Sequence, residues 1–294
     1  MEKRLRGLLD QAASQHSRNQ GRQIVRRWQA KAWTLLILCI LACLLSIYYL
    51  WRPWRFLAMA GFAAVFAFGM YLLVRGYNRL IVSLVCDQCD PSLALGVMRE
   101  ADRGPLLGLF VNRNVETVAA VLNCMMLEGR EDEARQAMKE LELHSRAWDY
   151  RRTVLLCDYH FMKKDSMEID KEYGALGKFA AAGYRDARQN FKWMHDMQRM
   201  TELEDFYDYT REPEKKQKYR EELTALLEEK VRMSHNKAQR LQMSSAWLRL
   251  KFKEEEYDRA ARLLEEIARE GNTLGVAGQA QQMLSRLYQV TDGR

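Results

Sequence analysis

Two uninterrupted apolar runs dominate the first third of the chain. Ala32 to Trp51 is twenty residues without a charge, and Phe56 to Val74 is nineteen. At ~1.5 Å rise per residue each makes a helix of roughly 30 Å, the thickness of a bilayer's hydrocarbon core. Ten residues of the first run are Leu or Ile, which favours insertion by about 3 to 6 kcal/mol at their usual contribution per residue. Tyr48, Tyr49, Trp51 and Trp54 gather at one end of the runs, and Trp28, Trp33, Tyr71 and Tyr77 at the other, as aromatic residues do at the two faces of a membrane. Only Arg52, Pro53, Trp54 and Arg55 separate the runs. The pattern therefore predicts an antiparallel transmembrane hairpin, with spans at 32–51 and 56–74 and a short external loop at 52–55.

The second run contains Ala58, Ala60, Gly61, Ala63, Ala64, Ala67 and Gly69, small residues that let another helix approach closely, the first span being the nearest partner. Neither run holds an Asp, Glu, Lys, Arg or His side chain. Transport pathways usually need such groups inside the membrane, so anchoring is the expected use. Ahead of the hairpin, residues 1–31 form a basic segment. Leu5, Leu8, Leu9 and Ala12 stand there at i, i+3, i+4 and i+7, which predicts a short amphipathic helix lying on the anionic cytoplasmic leaflet, with the lipid bilayer as its partner.

After Asn78 the pattern turns helical, with no convincing two-residue alternation, and an all-α domain is expected over residues 75–294. Asp90 before Pro91 marks a helix start, because Asp caps free N–H groups and Pro suits the first helical position. Asp165 with Glu168 marks another, as a capping-box variant, and Pro213 a third. Apolar residues recur at helical spacing in Ala134, Ala137, Met138 and Leu141, in Tyr219, Leu223, Leu226 and Leu227, and in Tyr257, Ala260, Ala261, Leu264 and Ile267. Each stripe must be buried against a neighbour, and the turn at Gly129-Arg130 implies an antiparallel pair. Glu228-Glu229 and Glu254-Glu255-Glu256 read as solvated helix faces.

Val115 to Leu143 resembles one tetratricopeptide helix-turn-helix unit, with Gly129 at the turn and Ala134 and Met138 where that family places a small and a large residue. Tyr257, Ala260 and Leu264 form a second match. The first helices lack the family's aromatic and Leu-Gly pattern, no Pro follows, and the 126 residues from Ala134 to Ala260 are not a multiple of the ~34-residue repeat. The resemblance implies a degenerate helical solenoid, an irregular helical bundle being the alternative. It also implies a partner-binding groove along the first helices, lined by Asn123, Met126, Arg249 and Phe252.

Charge refines this picture. Residues 1–79 hold twelve basic and two acidic groups; removing them from the chain's 46 basic and 39 acidic groups leaves 34 and 37 from Leu80 onward. The helical domain is slightly acidic, a poor match for nucleic acid. Basic residues concentrate on the ends of the hairpin rather than on its connection, so the positive-inside rule places both termini in the cytoplasm, and a bacterial plasma membrane fits the plain apolar runs.

The six cysteines lack the dense spacing of a secreted disulfide scaffold. Cys86 and Cys89 have the spacing of half a zinc site or a redox pair, and Cys157 with His160 offers two further ligands. A zinc or thiol enzyme built on them is the least favoured expectation. There is no Gly-rich phosphate loop and no Gly-x-Ser-x-Gly elbow, so no catalytic residue, cofactor, metal or small-molecule substrate is expected. The favoured expectation is a membrane-anchored adaptor that recruits a protein or peptide partner. The alternative is an accessory subunit of a transport or secretion complex, acting through its hairpin.

Overall fold

The computed structural model describes residues 2–49, 52–105, 108, 114–141, 143–184 and 186–292, and these are helical with no strand among them. The chain divides into two compact units, Glu2–Val85 with Ser92–Arg113, and Cys86–Pro91 with Asn114–Arg294.

The first unit contains α1 (Glu2–Ala12), α2 (Gln15–Tyr49), α3 (Arg52–Cys86) and most of α4 (Pro91–Asp102). Helices α2 and α3 are 35 residues each, about 52 Å long and so much longer than a hydrocarbon core. The apolar runs are therefore the middle of longer helices. Residues 15–31 continue into the first run without a break, α3 runs on past Val74 to Cys86, and the predicted loop at 52–55 is the first turn of α3. Leu50 and Trp51, which end the first predicted span, lie outside the described residues. Of the most apolar 18 residues in each helix, only 11 % and 6 % are buried in the protein. A core helix of a soluble protein would be buried, so these are two helices of membrane-crossing length with apolar surfaces turned outward.

The hairpin closes on small residues. A Cβ on Gly69 would run into Leu35, and one on Gly76 into the ring of Trp28. Both contacts share one antiparallel register: seven residues back along α2 correspond to seven forward along α3. That register puts Trp33 level with Tyr71, and both are exposed, at 43 % and 58 %. Trp28 instead packs on α3 and Tyr77 is buried, so two of the four aromatics expected at that interface serve packing within the protein. At the other end Tyr48, Tyr49 and Trp54 are exposed. Hydroxyls inside the apolar stretch bond their own helix, Thr34 donating to the Ala30 carbonyl and Ser46 to that of Ala42.

Helix α1 departs from its expected place on the leaflet. Leu5, Leu8, Leu9 and Ala12 are all buried in the protein, so the stripe meant for lipid is already covered. Ion pairs tie α1 to α4: Arg6 Nε to Asp102 at 3.0 Å, and Arg99 and Arg103 to Asp10 at 2.8 and 2.7 Å. Helix α4 also meets α2 backbone to backbone, where Gly96 faces the Ser17 carbonyl and Gly21 faces Gly96.

The second unit contains α5 (Val115–Leu127), α6 (Glu131–Glu140), α7 (Arg146–Lys163), α8 (Ser166–Ala181), α9 (Ala187–Tyr209), α10 (Pro213–Met233), α11 (Lys237–Lys253), α12 (Tyr257–Glu270) and α13 (Gly275–Asp292). Side-chain caps start four of them: Asn114, Ser145, Asp165 and Asn236 each accept from the N–H three residues on. Pro213 opens α10. Of the predicted stripes, Ala134, Met138, Leu223, Leu227, Ala260, Leu264 and Ile267 are buried, whereas Tyr257, first in its helix, is 61 % exposed. The Glu254 side chain is only 2 % exposed and pairs with Lys251, so that part of the predicted solvated face turns inward; Glu255 has a φ of +60° in the turn that follows α11.

Consecutive helices of this unit pack on one another, and the succession returns on itself because α13 touches α5. Gly275 meets the backbone of Gly129, and Thr273 donates its N–H to the Cys89 carbonyl at 3.2 Å and its hydroxyl to Asp90 at 2.7 Å. The first and last helices of the unit therefore meet. Among the described residues, one core gathers around Tyr150, Cys157, Leu176, Met197 and Leu223, and another around Cys89, Leu241, Leu248, Leu264 and Leu274.

Asp158 sits in α7, and burial alone pushes its carboxyl up to about 7. A folded pKa above the unfolded one means stability that is complete below the unfolded value and is lost as pH rises through about 7. Asp158→Asn should therefore raise the unfolding midpoint of the full chain at pH 8 and change it little at pH 4. The ceiling is about 4 kcal/mol, from roughly three pKa units. Thermal unfolding in detergent at both pH values checks this, and an equal effect at both would refute it.

Candidate functional site

The C-terminal end of α7, the middle of α9 and α10 and the last turns of α11 line a small cleft open to solvent. Its floor is apolar, from Phe161, Met200, Leu223, Leu227, Ala246 and Leu250, and its rim carries Lys164, Glu204 and Arg249. Local structure sets each of these. Lys164 ends α7 with a φ of +57°. Glu204 lies one turn beyond Met200 on α9, and Arg249 beside the buried Leu248 and Leu250 on α11.

The Glu204 carboxylate pairs with Lys164 and, at 3.1 Å, with Lys253, which also reaches Asp208 at 2.6 Å. Burial pushes the Glu204 carboxyl up, but Lys164, Arg249 and Lys253 outweigh it and hold the group below its usual range. Arg249 makes no hydrogen bond or ion pair with a described residue. Three cations against two carboxylates leave this rim with one formal positive charge; the guanidinium of Arg249 stands above the apolar floor, where burial pushes its pKa down and Glu204 opposes the shift. A guanidinium without a fixed partner offers paired donors that match a carboxylate.

The four groove residues expected from the tetratricopeptide resemblance do not line one surface. Arg249 lines the cleft just described. Met126 is buried and borders a different small cleft, where α5, α11 and α13 meet near Gly129, Gln242 and Gly275. Phe252 packs against the core around Leu241 and Leu264, and Asn123 is half-buried on α5. Lys164, Glu204 and Lys253 were not expected, because nothing local in the sequence marks them: Lys164 and Lys253 reach Glu204 across 40 and 49 residues.

The cysteines are packed as hydrophobes. Cys89 is fully buried in the core around Leu241, with Cys86 half-buried at the end of α3, and burial pushes both thiols up, away from the reactive thiolate. Cys157 is buried in the other core, and His160 stands 3.5 Å from Asp165 through Nδ1. Among the described residues no three His, Cys, Asp or Glu side chains converge on a point that could hold a metal ion. No protein-family model matches the chain, and no curated protein or solved structure matches it significantly.

Proposed function

We propose that this chain is a membrane-anchored interaction module: the α2–α3 hairpin crosses a plasma membrane twice, both chain ends are cytoplasmic, and the helical unit recruits a protein or peptide partner. The observation that carries this reading is the contrast between the two units. The first presents a long, outward-facing apolar hairpin whose two apolar runs hold no Asp, Glu, Lys, Arg or His; the second has its own cores, a charged surface and a cleft rimmed by the Arg249 guanidinium, which has no hydrogen-bond or ion-pair partner among the described residues. Tethering raises the effective concentration of a weak cleft near membrane partners, and Arg249 over an apolar floor suits a peptide carrying a carboxylate beside an apolar side chain.

A second reading, an accessory subunit acting within the bilayer, has one observation in its favour. Gly69 of the small-residue stripe is used up inside the hairpin, but Gly61 meets nothing, and Ala60, Ala64 and Ala67 are exposed. Crosslinking in native membranes followed by affinity capture separates the readings. An adaptor keeps its partner when the hairpin is exchanged for an unrelated anchor, and loses it, by about tenfold or more, when the rim is reversed by Arg249→Glu. Capture by the hairpin alone would replace the adaptor with the accessory subunit.

A further inference from the structure

The geometry points to a binding site for anionic phospholipid headgroups in a collar of five basic side chains, Arg26, Arg27 and Lys31 on α2 with Arg75 and Arg79 on α3. This inference rests on the hairpin's crossing a membrane. The register fixed by Leu35 on Gly69 and Trp28 on Gly76 places Arg75 level with Gln29 and Arg79 level with Val25. The five residues thus share one band of the hairpin, between about 3 and 12 Å beyond the height of Trp33 and Tyr71. Those two exposed aromatics mark where hydrocarbon gives way to headgroups. The headgroup layer is roughly 5 to 8 Å thick on each side, and Arg and Lys side chains reach along it, so the band lies at phosphate depth.

All five side chains are exposed. No acidic residue occurs between Asp10 and Asp87, so neither helix can neutralise them from within. The rest of the unit treats its basic groups differently. Arg22 pairs with Glu100, Arg99 and Arg103 pair with Asp10, and Arg18 donates to the Asp10 carbonyl. Arg26, Arg27, Arg75 and Arg79 have no hydrogen bond or ion pair with a described residue, and Lys31 only stands over the Trp28 ring at 5.1 Å. Setting topology needs an excess of positive charge on one side, not its collection at one height on two helices with every group left open. Guanidinium groups bind phosphate oxygens in pairs, and a leaflet carrying anionic lipid supplies them. The apolar stripe of α1 is buried, so lipid contact on this side falls to the collar.

The full chain is placed in nanodiscs of equal parts phosphatidylcholine and phosphatidylglycerol, released in mild detergent, and its retained lipid weighed by mass spectrometry. Retained phosphatidylglycerol should exceed its bulk share by about fivefold. Changing all five collar residues to Gln should bring the ratio to the bulk value, whereas exchanging the four Arg for Lys should keep most of the enrichment, which separates lost charge from lost folding. Enrichment that survives the Gln exchange, or is absent from the unaltered chain while alkaline carbonate leaves it in native membranes, overturns the collar alone. Release of the unaltered chain by alkaline carbonate overturns the membrane reading as well.

Discussion

Gly96→Ala should loosen α4 from α2 and speed hydrogen exchange of the α4 amides by about 30-fold, leaving the helices of residues 114–292 unchanged. Two effects oppose each other here. Alanine in place of glycine stabilises a helix by about 1 kcal/mol. A Cβ at Gly96, however, would stand 2.1 Å from the Ser17 carbonyl oxygen and 2.4 Å from its carbon. Those atoms are backbone of α2 and cannot swing aside as a side chain would, so the helices must part. Overpacking typically costs about 1 to 3 kcal/mol, and a rigid contact on both sides belongs at the upper end, which exceeds the helical gain. Separation would also strain the ion pairs of Arg99 and Arg103 with Asp10. Gly61→Ala is the control, because a Cβ there meets nothing within 4 Å. Exchange in α4 that is unchanged or slower in Gly96→Ala would show propensity to prevail and the close crossing to be wrong. Mass-spectrometric exchange in detergent resolves the two outcomes, since α4 opens locally before the unit unfolds.

The hairpin was legible because absence of charge over twenty consecutive residues is a local property that no distant contact can mimic. Its true length was not. Hydropathy changes at Lys31 and after Val74, but the helical hydrogen bonds of α2 and α3 continue past both points, because a helix needs only its own backbone to continue. Helix starts at Pro91, Asp165 and Pro213 were legible for the same local reason. The stripe of α1 announced that something covers Leu5, Leu8 and Leu9 without saying whether lipid or protein does. The cleft was illegible in kind: its rim joins α7, α9 and α11, and ion pairs spanning 40 to 49 residues exist only once the bundle has closed. Repeat-like spacing at Ala134 and Ala260 identified two buried small residues, whereas the close approach of Gly275 to the backbone of Gly129 joins residues too distant in the chain for any local pattern to announce.

Lys251→Met should destabilise the helical unit by about 3 kcal/mol near neutral pH, and by much less at pH 4. Lys251 and Glu254 are almost fully buried, with side chains 4 % and 2 % exposed and 2.9 Å apart. Lys251 also reaches Glu256 at 3.3 Å, and Arg220 joins Glu254 from α10. Methionine fills much of the same volume, so the loss comes from the carboxylate left behind in a poorly solvated place, where breaking a buried pair costs about 3 to 5 kcal/mol; the retained Arg220 keeps the effect at the lower end. The pH dependence follows from Glu254. In the intact chain burial pushes its carboxyl up, but the bonds from Arg220 and Lys251 prevail and hold it down, so it contributes stability above its unfolded pKa that is lost as pH falls through the folded one. Without Lys251, one of the two bonds that hold the carboxyl down is lost, and burial is opposed by Arg220 alone. Protonating Glu254 then relieves the unpaired charge, and the difference from the intact chain shrinks in acid. Glu254→Gln added to Lys251→Met should recover part of the loss at pH 7, because the amide needs no counter-charge. Denaturant unfolding of the full chain in detergent at pH 7 and pH 4 tests all three statements. A loss that stays the same at both pH values would mean that packing around the Lys251 stem, rather than its charge, holds α10 and α11 together.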